Sequence, residues 1–330
     1  MLMISGATGF VGRHLVLEFV GSQTPLIALY RCPNKKKSTL DFLVEKTANR
    51  SQVLEKIEWR YADLTDWASL EMAFEGVTQV LHCAASVTLY PGSEETLMNI
   101  NVHGTKQMVE LAQKSQVEWF GHMSSIAALG SAPEGKTIDE NHLWNKEELH
   151  SDYAYTKHLA ELEVWKAFEE GMRGCILNPG VILGPGTGSS PLEQLVQLVQ
   201  KKNCLVTAGS SGFVSIDSVV QATCKVYEKK IHRQRFILVS ENWSYQNVCA
   251  LIIKHRNPQT KLKFISWKQL KAMLVLERLL GLFGRPRKLS ASLIQSLTSK
   301  ATYSGNKILQ VVADFTYDDL EKKLEKWLQE

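Results

Sequence analysis

Three glycines, Gly6, Gly9 and Gly12, stand between an apolar run (Met1 to Ile4) and a helical pattern from His14 to Val20, and no other stretch so narrows what the chain can fold into. Four apolar residues suffice for a short buried strand. A strand that turns on glycine directly into a helix presents free N–H groups and the positive end of the helix dipole, where a pyrophosphate can lie. The glycines then do separate jobs. One allows the tight turn, one lets the backbone approach the phosphates, and one lets helix and strand pack closely. The spacing is G-x-x-G-x-x-G, with Thr8, Phe10 and Val11 among the intervening residues, instead of the more common G-x-G-x-x-G.

The rest of the chain continues that beginning. Further apolar runs read as strands at Pro25 to Tyr30, Ile57 to Tyr61, Gln79 to Ala85, Val117 to Met123 and Gly174 to Asn178. Helical patterns lie between them at Ser38 to Ala48, from Thr65 or Asp66 to Phe74, Glu94 to Lys114 and Ser151 to Glu170. Short, nearly all-apolar strands alternating with helices predict an α/β fold, a doubly wound parallel sheet covered on both faces. Pro179 to Gly188 reads as a loop. A helix (Pro191 to Lys202), short strands (Cys204 to Thr207 and Phe213 to Ile216), a helix (Asp217 to Lys229) and a strand (Phe236 to Ser240) follow it, and the chain is mostly helical beyond. The expected organisation is a dinucleotide-binding domain over 1–185 and a smaller substrate-binding lobe over 186–330, partly interleaved with it.

In such sheets ligands bind beyond the carboxyl ends of the strands, so the residues ending each strand carry the chemistry. Arg31 ends the second strand, with Lys35, Lys36 and Lys37 close by. A guanidinium pairs with a 2′-phosphate and cannot replace the carboxylate that accepts a ribose hydroxyl, which favours NADP(H) over NAD(H). Asp63 can start a helix or accept the adenine amino group, with Leu64 against the ring. Tyr153 and Lys157 are four apart on one helix and share a face, whereas Tyr155 points the other way. A tyrosine can exchange a proton with a carbonyl or alcohol oxygen, and a neighbouring ammonium should lower its pKa. Ser124 and Ser125 end the fifth strand, where a hydroxyl can hydrogen-bond the substrate oxygen. No G-x-S-x-G elbow supports nucleophilic hydrolysis.

Composition removes other classes. A net charge of +4, with only Lys35 to Lys37 and Arg285 to Lys288 as basic clusters, argues against nucleic acid. Six cysteines scattered singly without a Cys-x-x-Cys pair suggest no metal site, and read as buried reduced thiols of a cytoplasmic protein. The stretch Leu270 to Phe283 is interrupted by Lys271, Glu277 and Arg278 and is too short to span a bilayer. It is expected to pack on the core or wall an apolar substrate pocket; lying on a membrane surface is the remaining reading.

The glycine turn, Asp63-Leu64, His82-Cys83-Ala84-Ala85, Asn99 to Thr105, Ser124-Ser125, Tyr153 to Lys157 with Ala160-Glu161, and Asn178 to Gly186 occur in one order. In that combination the chain resembles the extended branch of the short-chain dehydrogenase/reductase superfamily, on the side of dihydroflavonol reductase and 3β-hydroxysteroid dehydrogenase. The resemblance implies a Rossmann fold and a catalytic Ser125, Tyr153 and Lys157. It also implies cofactor contacts from Ala84, Ala85, Ser124, Pro179, Gly180 and Val181, with Asn101 bracing the central helix. The implied activity is an NADP(H)-dependent oxidoreductase acting on a small, largely apolar carbonyl or alcohol. Substrate walls are expected from Ser86 to Gly92 (Ser86, Thr88), from Leu129 to His150 (His142, Trp144) and from the carboxyl lobe. A nucleotide-sugar epimerase with tightly bound NAD and a non-catalytic NADP-binding regulator are the rival functions; homodimer formation is left open.

Overall fold

The computed structural model describes residues 1–21, 25–47, 55–88, 92–186, 190–200, 202–281 and 289–329. Its strands are β1 (Leu2–Ser5), β2 (Leu26–Tyr30), β3 (Ile57–Tyr61), β4 (Gln79–His82), β5 (Trp119–Met123), β6 (Thr137–Ile138) and β7 (Gly174–Pro179). They continue with β8 (Val181–Leu183), β9 (Asn203–Val206), β10 (Ser210–Ser215), β11 (Gln234–Leu238), β12 (Glu241–Ser244), β13 (Lys261–Phe264) and β14 (Thr302–Tyr303). Seven of them form one sheet in the order β11-β7-β5-β4-β1-β2-β3, every pair parallel. The fold is therefore a doubly wound, Rossmann-like α/β sheet. Chain order reverses between β1 and β4, which is where such a sheet opens a ligand crevice.

Fully apolar strands need cover on both sides. Helices α1 (Phe10–Val20) and α2 (Pro33–Lys46) lie in chain order before α3 (Trp67–Ala73), α4 (Glu94–Leu97), α5 (Gly104–Lys114) and α6 (Asp152–Glu169). One core cluster joins Ile4, Leu15, Val16, Leu81 and Leu177 to the later residues Val219 and Phe236. The other joins Met3, Ile27, Val80, Phe120 and Ile176 to Met108, Leu111, Val164 and Phe168. The chain closes through α7 (Pro191–Val199), α8 (Ile216–Glu228), α9 (Tyr245–Arg256), α10 (Trp267–Gly281), α11 (Ala291–Thr298), α12 (Asn306–Val311) and α13 (Leu320–Gln329). A separate core gathers Leu183, Val206, Phe213, Ile252 and Leu324.

Several boundaries differ from expectation for local reasons. Helix α2 begins at Pro33, five residues before the expected Ser38, because proline at the first helical position already has the needed φ; the expected end at Ala48 lies outside the described residues. The expected helix from Glu94 to Lys114 contains a π-helical turn at Met98–His103 between α4 and α5. Within the expected loop after Pro179, Val181–Leu183 is a strand, paired parallel to β10, while Thr187 and Gly188 lie outside the described residues. Beyond Ser240, where a mostly helical chain is expected, the described residues hold three short strands, β12, β13 and β14, as well as helices. Two-residue and edge strands carry too little period-two signal to be read from sequence.

Of the six cysteines, Cys32 and Cys83 are only half-buried. Helix α10 buries Leu270 and Leu274 and leaves Met273, Val275 and Leu276 exposed, so only part of its apolar surface packs inward; Phe283 and Arg285 to Lys288 lie outside the described residues. Among the described residues no helix is long and apolar enough to cross a membrane.

Candidate active site

The glycine turn sits between β1 and the end of β4. Gly6 has φ +67°, a left-handed conformation that favours glycine, and the Gly9 N–H closes the turn on the Gly6 carbonyl at 2.8 Å. A Cβ on Gly6 would stand 2.7 Å from Ala84 Cα, and one on Gly12 only 2.1 Å from the Gly6 oxygen. Gly9 caps α1 without any side-chain acceptor, so the first-turn N–H groups are left for a ligand. Gly12→Ala is expected to push the turn open and weaken dinucleotide binding at least about tenfold by fluorescence titration, with the fold retained by circular dichroism.

At the end of β2, the exposed Arg31 guanidinium is 3.7 Å from an Asp63 carboxylate oxygen. Asp63 is itself held, accepting from the Thr65 N–H at 3.0 Å and the Thr65 hydroxyl at 2.9 Å, while Asp66 caps α3. Leu64 packs where a side chain on Gly104 would collide with it. Of the lysine run, Lys36 is the one drawn inward, its ammonium 4.6 Å from the Tyr30 ring centre; Lys35 is exposed and contributes its carbonyl to the Thr39 hydroxyl.

Beyond β4, Ala84 is half-buried and Ala85 exposed. Asn101 grips Ser86 at both backbone groups, accepting its N–H at 2.7 Å and donating to its carbonyl at 3.0 Å, and also donates to the Thr156 hydroxyl. Asn101 thus braces the segment after β4 against α6. Thr88 is half-buried in the same segment; residues 89–91 lie outside the described ones. The bridging role of His82 leaves no local signal in the sequence. It is fully buried, its Nδ1 2.7 Å from the Ser5 hydroxyl and its Nε2 3.0 Å from that of Thr105. Burial, with the Lys157 charge as a lesser cause, drops its pKa to about 3, so it is a neutral strut between β1 and α5.

Tyr153 and Lys157 lie on the first turns of α6, started by the Ser151 hydroxyl accepting the Ala154 N–H. Tyr155, half-exposed, faces away. Ser125 closes the turn after β5, its hydroxyl accepting the Ala127 N–H at 3.1 Å, and it is hydrogen-bonded to the Tyr153 phenol. The Ser124 hydroxyl is buried with no protein partner. Lys157 is 2% exposed, and its ammonium donates to the Met123 carbonyl at 3.0 Å.

The direction of the Tyr153 shift corrects the expectation. Burial pushes the phenol above its usual pKa, against the opposing pull of the Ser125 bond. The lysine is instead the group brought down, to about 8, by burial and against the pull of Glu161. An ammonium engaged with a backbone carbonyl in a dry site is itself short of solvation, which a reading of helical spacing cannot register.

Pro179, Gly180 and Val181 pass from β7 to β8, and a Cβ on Gly180 would stand 2.4 Å from the Gly212 oxygen. Trp144 is placed differently from a substrate wall: its ring lies between His150 at 3.8 Å and His158 at 4.1 Å, both stacked. With both faces covered it fastens its loop to α6. His142 likewise turns inward to the Ser131 carbonyl, at 2.8 Å. Among the described residues no group of three or more His, Cys, Asp or Glu could hold a metal. A dinucleotide fits what is present: the cradle is one that a Cβ would fill, the helix end above it is uncapped, and a buried hydroxyl waits at Ser124.

A family model described as the NAD-dependent epimerase/dehydratase family matches residues 2–237. The chain is 27% identical over 242 residues to sterol demethylase protein B of Methylococcus capsulatus, covering 73% of this chain and 70% of that one. It is 25% identical over 315 residues to a Synechocystis protein provisionally named dihydroflavonol 4-reductase, covering 93% and 88%. Among solved structures, gox2253 superposes with a TM-score of 0.79 at 22% identity over 99% of this chain and 96% of that one. WbmH of Bordetella bronchiseptica, solved with NAD+, superposes with a TM-score of 0.75 at 14% identity over 99% and 96%. At these identities the structures speak for the fold alone.

Proposed function

The chain belongs to the NAD-dependent epimerase/dehydratase family, and from that membership we propose that it is an NADP(H)-dependent oxidoreductase reducing the carbonyl of a small apolar compound or oxidising the matching alcohol. The observation that carries this reading is the half-buried Tyr153 phenol, beside Ser125 and on one helix face with Lys157, at the same parallel sheet that builds the glycine cradle. A bound nicotinamide would supply or take the hydride. The chain's part is to place it and to move the proton.

Gly6 to Gly12 would hold the pyrophosphate, with Ala84 and Ala85 alongside; Asp63 and Leu64 would meet the adenine, and Pro179, Gly180 and Val181 would border the nicotinamide. Ser124 has a hydroxyl to give to cofactor or substrate. Ser125 would hold the substrate oxygen. Tyr153, a phenol at neutral pH and held further from ionisation by burial, is suited to deliver its proton to that oxygen when a carbonyl is reduced. Lys157 would supply positive charge beneath the developing phenolate.

The preference for the phosphorylated dinucleotide rests on Arg31. Being largely exposed, it can leave Asp63 for a 2′-phosphate at little cost. Arg31→Ala is expected to weaken NADPH binding about tenfold or more while leaving NADH within about twofold, read by parallel titrations. Turnover on ketones and aldehydes then tests the reaction itself. Protein that keeps bound NAD through purification and interconverts a nucleotide sugar without net cofactor use would replace this reading with an epimerase; NADPH binding without any turnover would replace it with a regulator.

A further inference from the structure

Glutamate is seldom fully buried, yet Glu161 is 0% exposed in the middle of α6. It follows Lys157 by four residues as Lys157 follows Tyr153, so the three share one stripe of the helix. Its carboxylate accepts from the Asn178 amide and is paired with Arg235, which reaches in from β11 past the Trp165 ring. The same Asn178 amide donates to the Ser125 carbonyl at 2.9 Å. A continuous chain thus runs from Arg235 on the sheet edge, through Glu161 and Asn178, to the backbone of the turn that carries Ser125.

We propose that Glu161, Asn178 and Arg235 are positioning residues that hold the Ser125 turn against α6 and place a carboxylate one helical turn beyond Lys157 on the same stripe. The proposal rests on the reading of Ser125, Tyr153 and Lys157 as the reacting set. Stability alone does not account for the arrangement, since a buried ion pair is commonly matched by apolar side chains of similar size. The groups facing Lys157 are His82 and Cys83 from β4, His122 from β5 and Glu161 from its own helix. Burial holds both histidines neutral and the Cys83 thiol protonated, leaving Glu161 as the one anion opposing the desolvation of the ammonium. Facing Glu161 in turn are Lys157, His158 and Arg235, and Arg235 has Lys307 near it. Arg235 pairs with the carboxylate from β11 and Asn178 donates to it from β7, so the group one turn beyond Lys157 is an ion-paired, hydrogen-bonded carboxylate.

The test is Glu161→Gln, close in shape and uncharged. The titration midpoint of Lys157, followed by NMR in protein carrying ¹³C,¹⁵N-labelled lysine, is expected to fall by about one pH unit or more. The alkaline limb of kcat/KM should move down with it, and Glu161→Asp should recover part of the shift. Asn178→Ala, which loosens the Ser125 turn and spares the carboxylate, is expected to lower kcat about tenfold with the alkaline limb in place. An unmoved Lys157 midpoint in folded Glu161→Gln overturns the proposal, as does an Asn178→Ala enzyme of wild-type kcat. If Glu161→Gln does not fold, Asn178→Ala and the Glu161→Asp midpoint decide. A wild-type protein that turns over no carbonyl defeats the catalytic reading by itself, while the NMR midpoint still judges the role of the carboxylate.

Discussion

Tyr153→Phe should cut carbonyl reduction at neutral pH by about a hundredfold to ten-thousandfold while leaving NADPH affinity within about twofold, because one proton donor is lost and no shape is changed. The phenol is half-buried beside Ser125, so its removal leaves the Ser125 hydroxyl free to rotate toward another partner. Single-turnover measurements with NADPH in excess separate the chemical step from binding. Equal rates in the two proteins would remove Tyr153 from the proton path. Because burial raises the phenol's pKa, reduction by the wild type should hold level through neutral pH and fall only on the alkaline side, where Lys157 loses its charge near pH 8 and the phenol follows.

Lys157→Met is expected to lower turnover at least about a hundredfold and at the same time to leave the fold no less stable than before. The sign follows from the shift. Burial takes the lysine from its ordinary 10.5 to about 8, so the folded state disfavours the charge. Below pH 8 the lysine is charged in both states and the full net penalty, roughly 3 kcal/mol with the pull of Glu161 already included, is present. Between about 8 and 10.5 the unfolded chain binds the extra proton, and stability rises with pH. Thermal unfolding of the wild type should therefore gain over that window from this residue, and the Met variant should lack the gain. A variant several degrees less stable at pH 7 would mean that the ammonium stabilises the site instead of straining it.

The nucleotide half of the site was legible because its geometry is local. Gly6 and Gly12 stand where any Cβ would collide with backbone, and the pattern of apolar strand and helix around the glycines gives the turn its orientation. Tyr153 and Lys157 were legible because four-residue spacing on a helix is a fixed distance. What the sequence hid lies between elements far apart in the chain. Glu161 meets Arg235 across 74 residues and His82 meets Ser5 across 77, so neither pairing leaves a mark on local periodicity. The desolvation that raises Tyr153 and lowers Lys157 is likewise a property of the packed site. Trp144 shows the same limit from the other side: an aromatic residue in a polar loop suggests a surface for substrate, whereas its neighbours His150 and His158 claim both faces.

The last strand of the main sheet, β11, arrives long after its neighbour. β7 is complete at Pro179 and buried along its whole length, yet its outer edge is paired only by Gln234–Leu238. Trp119, inside β5, likewise finds its hydrogen-bond acceptor only at Ile231, 2.8 Å away. On the ribosome, then, more than fifty residues must emerge before that seam can close. Until then a nascent chain carries an open, apolar strand edge of the kind that recruits other chains, and the stretch from Val181 to Ile231 sets how long it must be chaperoned.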